Sequence, residues 1–222
     1  GGTINIISDP AQYNKSGSIR QEVGSYGFLK TALSLNSGRI NDKMAISATL
    51  VRKTGQGFAN GTWTDAWAYY MGSSYQVNDK NKLEMYVIGA PQRHGQNLYK
   101  QNIARYSHEL ADAMEGYDPA AKDDYKELGR NFNQNYSPVD PSYAGQQHYS
   151  MYRTQIGDRK VSDALNEREN FFHKPQINLN WYHTVNDDMT WSNIFYYSGG
   201  KGGGTGTYGS VKASYGDGGG IR

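Results

Sequence analysis

Histidines, paired carboxylates and a glycine-rich run are the groups in this sequence whose types and spacing could do chemistry. The five histidines are His94, His108, His148, His173 and His183. None forms an HExxH motif or another close ligand pair, so the spacing does not predict a compact zinc site. His94 and His148 could still join a metal site assembled from loops, because imidazole is a common metal ligand.

The run GTGTYG at 204–209 formally matches the GxGxxG pattern of dinucleotide-binding proteins. That pattern requires a helix directly after it and an acidic residue about 20 positions further on. The segment that follows, SVKASYGDGGG, has no helical periodicity, so a flexible loop is the better interpretation.

The acidic pairs Asp123-Asp124 and Asp187-Asp188 fit a helix surface and a turn respectively. No Ser-His-Asp order or cysteine nucleophile can be argued from spacing. We therefore expect no enzyme activity and no cofactor.

The composition narrows the class of protein further. The 222 residues include 27 glycines, 19 tyrosines and no cysteine, which excludes disulfides and thiolate metal sites. The net charge of +2 gives no electrostatic case for nucleic acid. No segment approaches 18 consecutive apolar residues, and GGTINIISDP at the start lacks the features of a signal peptide. Both ends look cut, so we expect a fragment of a longer protein.

Alternation of side-chain type with a period of two dominates the chain. In the run from Trp67 to Val77, for example, one face carries large apolar residues and the other small or polar ones. This pattern predicts half-buried strands. We predict seven, at about 17–25, 28–38, 43–53, 66–77, 82–92, 174–185 and 189–198. Most are about ten residues long, the length that a tilted membrane-crossing strand needs.

The connections between these strands alternate between short and long. INDKM at 40–44, VNDKNKL at 77–83 and VNDDM at 185–189 each predict a tight hairpin, because Asn and Asp tolerate left-handed backbone and bond nearby amides. The connections at 53–65 and at about 93–172 are longer. One trimmed rim and one elaborated rim are typical of outer-membrane barrels.

Two further features fit that interpretation. ARYSHELADAMEGY and PAAKDDYKELGRNF, in the longest connection, have helical spacing, whereas NYSPVDPSYAGQQHYSMYR predicts ordered coil. Aromatic residues cluster near strand ends, with Trp63, Trp67, Tyr69 and Tyr70 in one group and Phe195, Tyr196 and Tyr197 in another. Such clusters favour a membrane-interface girdle over ordinary sheet packing.

Several segments resemble TonB-dependent outer-membrane receptors. GGTINIISDP at 1–10 is similar to the close of their plug domain, and GSIRQEVGSYGFLKTALSLNSGRINDKMAISATLVRK to their first barrel hairpin, with a Ser-Gly-x-Ile turn at Ser37 to Ile40. WSNIFYYSGGKGGGTGTYGSV resembles loop-entry sequence in such receptors, particularly the SusC/RagA-like or related types of Bacteroidota.

The resemblance implies an all-β fold, a transmembrane antiparallel β-barrel that is part of a 22-stranded barrel and carries long extracellular loops with short helices. Residues 1–12 would end the plug domain, and 13–222 would form the N-terminal part of the barrel. It further implies the outer membrane of a Gram-negative cell, lipid contact, TonB as a partner through a preceding segment, and an unidentified nutrient ligand.

In such a receptor, ligand contacts come from the outer loops. Aromatic faces and hydrogen-bonding tips suit that purpose. On position and residue type, the candidates are Trp63, Arg93, His94, Tyr99, Tyr143 and Tyr149.

Two alternatives remain open from the sequence. A receptor-like barrel could be a structural subunit of an outer-membrane complex, with its long loop docking a surface lipoprotein. A soluble β-sandwich binding domain is the second alternative, and aqueous extraction without detergent would identify it.

Overall fold

The computed structural model describes residues 9–138, 147–149, 155–157, 164–166 and 168–206, with side chains over 9–136 and 168–206. The fold of these residues is mostly β. The strands are β1 (Ser16–Gly24), β2 (Phe28–Ile40), β3 (Met44–Gln56), β4 (Trp63–Asn78), β5 (Asn81–Gly89), β6 (Gln92–Gly95), β7 (Tyr136–Pro138), β8 (Gln147–Tyr149), β9 (Gln155–Gly157), β10 (Ala164–Asn166), β11 (Glu169–His173), β12 (Gln176–Asn186), β13 (Met189–Ser198) and β14 (Lys201–Gly204).

Helical structure in the described residues is brief. It comprises α1 (His108–Asp112) and four 3₁₀ turns at Pro10–Gln12, Ser25–Gly27, Ile103–Arg105 and Pro119–Asp124. No helix in this part of the chain has the length and apolarity to cross a membrane.

The chain divides into two compact units, which we describe separately. The sheet unit comprises the described residues of 1–54, 65–92 and 172–202. The loop unit comprises those of 55–64, 93–171 and 203–222.

The sheet unit is built on an antiparallel meander. Its strand order is β1-β2-β3-β4-β5-β12-β13, and it does not close within the described residues. All seven strands lie where period-two alternation predicts them, with ends within about four residues of the expected positions. The strand order departs from the sequence order once, where β12 pairs directly with β5. The long segment between these two strands is therefore an insertion that connects two neighbouring antiparallel strands.

The two faces of this sheet are inverted relative to a soluble protein. Ile19 pairs with Leu33, and Leu33 with Leu50, yet all three are between 36% and 76% exposed. The opposite face carries the buried polar residues, Ser47, Ser74, Glu84 and Asn180, each at most 8% exposed. The face that lacks cover is therefore the apolar one.

The first Asn-Asp turn has a geometry of its own. Asn41 and Asp42 have φ angles of 48° and 55°, and the Lys43 N–H donates to the Ile40 carbonyl at 3.1 Å. Two successive positive φ angles are what a type I′ hairpin turn requires.

The other two turns use the asparagine side chain instead. Asn78 pairs with Asn81 and Asn186 with Met189, so each hairpin loop has two residues. The Asn78 Oδ1 accepts from the Lys80 N–H at 3.1 Å, and the Asn186 Oδ1 from the Asp188 N–H at 3.1 Å. All three motifs form tight hairpins as predicted, but by two different mechanisms.

The expected Ser-Gly-x-Ile turn at Ser37 to Ile40 is wrong. These residues lie inside β2 at a β-bulge, where the register with β3 shifts between Asn36 and Arg39. Gly38 has a φ of 65°, and the Ser37 Oγ accepts from the Ile46 N–H at 2.8 Å. A glycine in left-handed conformation is typical of a bulge, and it moves the turn to Asn41.

The loop unit contains the predicted short helices and more strand than expected. ARYSHELADAMEGY forms α1 and one 3₁₀ turn, but in the second segment helical structure is 3₁₀ and ends at Asp124. The predicted coil NYSPVDPSYAGQQHYSMYR includes β7 and β8, and its other residues after Pro138 lie outside the described part. At the base of the long connection, β6, β11 and β14 pair in that order.

Two members of the predicted aromatic cluster are not on the apolar face. Trp63 belongs to the loop unit and is 7% exposed. The Tyr70 side chain points to the polar face of β4 and lies over Gly72. Trp67 and Tyr69 do lie on the apolar face of β4. Near the second and third Asn-Asp turns, the ring centroids of Trp181 and Trp191 are 6.4 Å apart. The Trp181 Nε1 donates to the Asn81 Oδ1 at 3.0 Å.

Candidate ligand-binding site

The polar face of the sheet unit holds the segment that precedes β1. The Asp9 Oδ2 accepts from the Lys82 Nζ at 3.1 Å, and the same ammonium lies 2.7 Å from the Glu84 Oε1. The Arg39 Nε donates to the Ala11 carbonyl at 3.2 Å, and Pro10 is buried. These contacts fix residues 9–12 against the sheet.

Asp9 is held in its charged form by this arrangement. Burial acts to raise the pKa of its carboxyl group, but the hydrogen bond from the Ala11 N–H and the Lys82 ammonium outweigh burial, so the pKa lies below its usual value. A polar cavity of about 200 Å³ adjoins the segment, lined by Asp9, Ala11, Arg39, Asp42, Lys43, Met44, Ser74, Gln76 and Lys82.

The loop unit brings two of the predicted ligand residues into one cluster. The Arg93 guanidinium lies 5.5 Å from the Trp63 ring centroid. Its Nε donates to the Glu169 Oε2 at 3.1 Å, and its Nη2 makes a second bond to the same oxygen. Glu169 is 3% exposed, so this carboxylate requires its cationic partner. Arg93 therefore supports the loop as well as shaping its surface.

A second cluster contains Tyr99. The Arg168 Nη2 donates to the Tyr99 Oη at 2.5 Å, with the guanidinium 5.5 Å from the ring centroid. Tyr99 is 42% exposed. The pair thus presents an aromatic face and a cation together, which suits a planar or anionic ligand.

The structure places His94 on β6, half-buried, with its Nε2 3.4 Å from the Gln96 Nε2. Tyr149 is the last residue of β8, and Tyr143 lies outside the described residues. Among the residues described with side chains, no three His, Asp or Glu side chains converge as a metal site. The six candidates remain predictions, of which Trp63 with Arg93, and Tyr99 separately, belong to contact clusters.

Sequence reasoning missed the two residues that organise these clusters, Arg168 and Glu169. The alternating charges of NEREN at 166–170, directly before the apolar pair at 171–172, were the available signal.

Sequence reasoning also missed a buried asparagine cluster. The Asn133 Nδ2 donates to the Asn60 carbonyl at 2.7 Å and lies 3.2 Å from the Gln96 carbonyl.

The run GTGTYG at 204–209 starts at the end of a strand. Gly204 ends β14, and the Thr205 Oγ1 accepts from the Glu169 N–H at 2.8 Å. The remainder of the run, from residue 207, lies outside the described part.

No family model matches the chain, and no curated protein matches it significantly. Two crystal structures do. The ferric-catecholate import receptor Fiu from E. coli K12 matches in its closed form with a TM-score of 0.61 and 15% identity, over 90% of this chain and 24% of the receptor. Its open form matches with a TM-score of 0.59 and 12% identity, over 88% of this chain and 25% of the receptor.

At these identities the likeness is one of fold alone. The chain spans about a quarter of the receptor chains that it matches. Those structures are import receptors and not enzymes. The large antiparallel sheet of this chain therefore resembles part of the fold of these import receptors.

Proposed function

We propose that this chain is part of a TonB-dependent outer-membrane receptor that binds a nutrient at its extracellular face and imports it into the periplasm. The observation that carries the proposal is the inverted sheet, which exposes its apolar face and carries buried polar residues on the other face. The fold likeness to an import receptor supports it independently.

The inverted sheet argues for lipid as the environment of the strands. Leu179 and Phe195 pair across β12 and β13 and are 47% and 62% exposed, so the exposed apolar face extends from β1 to β13. Apolar area left in water costs about 25 cal/mol per Å², and soluble proteins rarely leave so broad a patch uncovered. A soluble sandwich would cover this face with a second sheet, whereas a bilayer covers it with acyl chains.

The loop unit is the proposed recognition region. It is built from the connections that alternate along the chain with the Asn-Asp turns. In outer-membrane barrels the longer connections are the extracellular loops. Trp63, Arg93 and Tyr99 supply aromatic and cationic groups there, with Arg168 as an addition from the structure. His94, Tyr143 and Tyr149 stay in the candidate set.

The partners follow from the proposal. Strands contact outer-membrane lipid, and TonB binds a segment N-terminal to this chain. The Fiu name describes a ferric-catecholate importer, which makes ferric catechol a rational first transport probe. The Bacteroidota type remains a proposal from sequence resemblance.

One observation favours the alternative, a structural subunit that docks a surface lipoprotein. Leu98, Leu110 and Met114 of the loop unit are 53%, 38% and 49% exposed. Exposed apolar side chains on an ordered loop are typical of a protein contact.

Two measurements on the full-length protein test these proposals. The protein should fractionate with the outer membrane, require detergent for extraction and migrate differently on gels before and after boiling. Partition into the aqueous phase without detergent would refute the membrane proposal. For transport, deletion of the receptor and deletion of TonB should cause the same nutrient-dependent growth defect. A defect confined to the receptor deletion would support the structural subunit instead.

A further inference from the structure

A single buried side chain joins three backbone segments of the loop unit. The Asn133 Nδ2 donates to the carbonyl oxygens of Asn60 at 2.7 Å and Gln96 at 3.2 Å. Its Oδ1 accepts from the Asn135 N–H at 2.9 Å. The side chain is 1% exposed, so water cannot replace these bonds.

We propose that Asn133 is a positioning residue that locks the connection at 57–62 to the segment at 96–99, so that the two outer loops form one preformed recognition surface. What this surface recognises rests on the proposed function. Whether it is preformed does not.

Further bonds reinforce the connection at 57–62. The Asn60 N–H donates to the Asn131 carbonyl at 2.8 Å, and the Asn131 Nδ2 donates to the Asn60 Oδ1 at 2.8 Å. Phe132, between Asn131 and Asn133 in the chain, is 4% exposed. Its ring centroid lies 6.2 Å from that of Tyr106. Residues 131–133 therefore hold Asn60 through both backbone and side chain.

The segment at 96–99 is held from the same residues. The Asn135 Oδ1 accepts from the Leu98 N–H at 3.2 Å, and Asn135 is itself placed by Asn133. This fixes the backbone directly before Tyr99. The Gln96 N–H donates to the Arg168 carbonyl at 2.7 Å, and Arg168 reaches the Tyr99 hydroxyl. Asn133 thus acts on the Tyr99 and Arg168 pair through the backbone without touching it.

Asparagine is the side chain that this position requires. Its two amide hydrogens face two carbonyl oxygens, and its oxygen faces an N–H. An aspartate has the same shape but would turn a carboxylate oxygen toward both carbonyls. Asn133→Asp consequently removes the lock while leaving the packing volume unchanged.

Spin-label distances in the full-length receptor test the proposal without any ligand. This chain has no cysteine, so labels at Phe58→Cys and Leu98→Cys, with other cysteines of the protein replaced, report the distance between the connection at 57–62 and the segment at 96–99. Both positions are exposed, Phe58 at 56% and Leu98 at 53%. With Asn133 in place, the distances between the two labels should form one narrow distribution. With Asn133→Asp, that distribution should be at least about twice as wide.

Asn97→Asp is the matched control, because the same chemical change falls on an exposed asparagine of the segment at 96–99. Its distribution should stay as narrow as the wild type. If Asn133→Asp does not reach the membrane, Asn133→Ala, which adds no charge, replaces it. The distance distribution should broaden in this variant too. A residue that served only barrel stability would lower the unfolding temperature and leave the width unchanged.

A broad wild-type distribution, or an Asn133 variant as narrow as the wild type, would overturn the proposal. A narrow distribution in a receptor that imports nothing would refute the proposed function and leave this inference standing.

Discussion

Tyr69 lies directly opposite Gly89 in the β4–β5 ladder, and its hydroxyl group covers the bare Cα while bonding to the His173 Nε2 at 2.9 Å. A Cβ atom on Gly89 would overlap the tyrosine ring and lie 2.9 Å from the same imidazole nitrogen. The glycine gives the tyrosine room to lie flat, and the tyrosine covers the gap that glycine leaves in the strand, as in other aromatic–glycine pairs of barrels.

We predict that Gly89→Ala destabilises the folded sheet by about 1–3 kcal/mol, since the overpacked tyrosine must leave its position. The temperature at which the protein loses its folded mobility on gels should fall. Gly200→Ala is the control, because its Cβ would meet nothing closer than 3.9 Å. Equal effects from both substitutions would show that the Tyr69 contact does not set the cost.

The contact between Asp9 and Lys82 predicts a pH dependence. Because the pKa of Asp9 lies below its usual value of 3.8, its stabilising effect is present above pH 3.8 and is lost as the pH falls through the lowered pKa. At pH 7, Asp9→Asn should speed hydrogen exchange in the peptide that contains Ala11. The difference from wild type should shrink below pH 3.8.

Asp79→Asn is the control for this measurement, since Asp79 is an exposed residue of the second Asn-Asp turn. It should leave exchange near Ala11 unchanged at every pH. A wild-type to Asp9→Asn difference that persisted undiminished below the usual carboxyl pKa would rule out the charged contact as its cause.

The elements that sequence predicts well here are the ones that local pattern determines. Alternation along β4 identifies both faces because each side chain's direction depends only on its neighbours in the strand. The expected turn at Ser37 to Ile40 is the exception. Ser37-Gly38 is as good a turn sequence as Asn41-Asp42, and only pairing with β3 makes the first a bulge and the second the turn.

The site depends on contacts that no local pattern contains. Arg93 could be nominated from its type and its place after a strand, but Glu169, its partner, is 76 positions away. Nothing in the local sequence Asn131-Phe132-Asn133 indicates that Asn133 reaches the carbonyl of Asn60, 73 positions away. Long-range polar pairing is chosen by the assembled fold.

The ion pair between Arg93 and Glu169 predicts how the long connection at about 93–172 loses stability. Glu169→Gln leaves the guanidinium without its carboxylate, and breaking a buried pair costs about 3–5 kcal/mol. The Arg93 side chain is 28% exposed, so we expect a smaller loss of about 2 kcal/mol, confined to the loop unit. Trypsin should cut faster at the exposed Lys100 in intact membranes.

Glu109→Gln is the matched control for that loop variant. Its side chain is 85% exposed and lies 3.8 Å from Arg130, a geometry worth at most about 0.5 kcal/mol. Its digestion rate should match the wild type. If Glu169→Gln were cut no faster than Glu109→Gln, the buried pair would not hold the base of the connection.

The exposed apolar face separates a membrane environment from an aqueous one through two adjacent residues of β1. Ile19 is 76% exposed and belongs to the row with Leu33, while Ser18 pairs with Ser34 on the other face. In a bilayer, Ile19→Arg should cost about 2–4 kcal/mol, because a lipid-facing cation near the midplane is poorly solvated. Ser18→Arg should be tolerated, since long cations extend readily into a hydrated interior. In water both substitutions would be tolerated, because residues 18 and 19 are both exposed and an arginine at position 19 would replace apolar surface. The amount of each full-length variant that assembles in the outer membrane, and its unfolding temperature, therefore measure which solvent faces this sheet. Tolerance of Ile19→Arg equal to that of Ser18→Arg would exclude lipid.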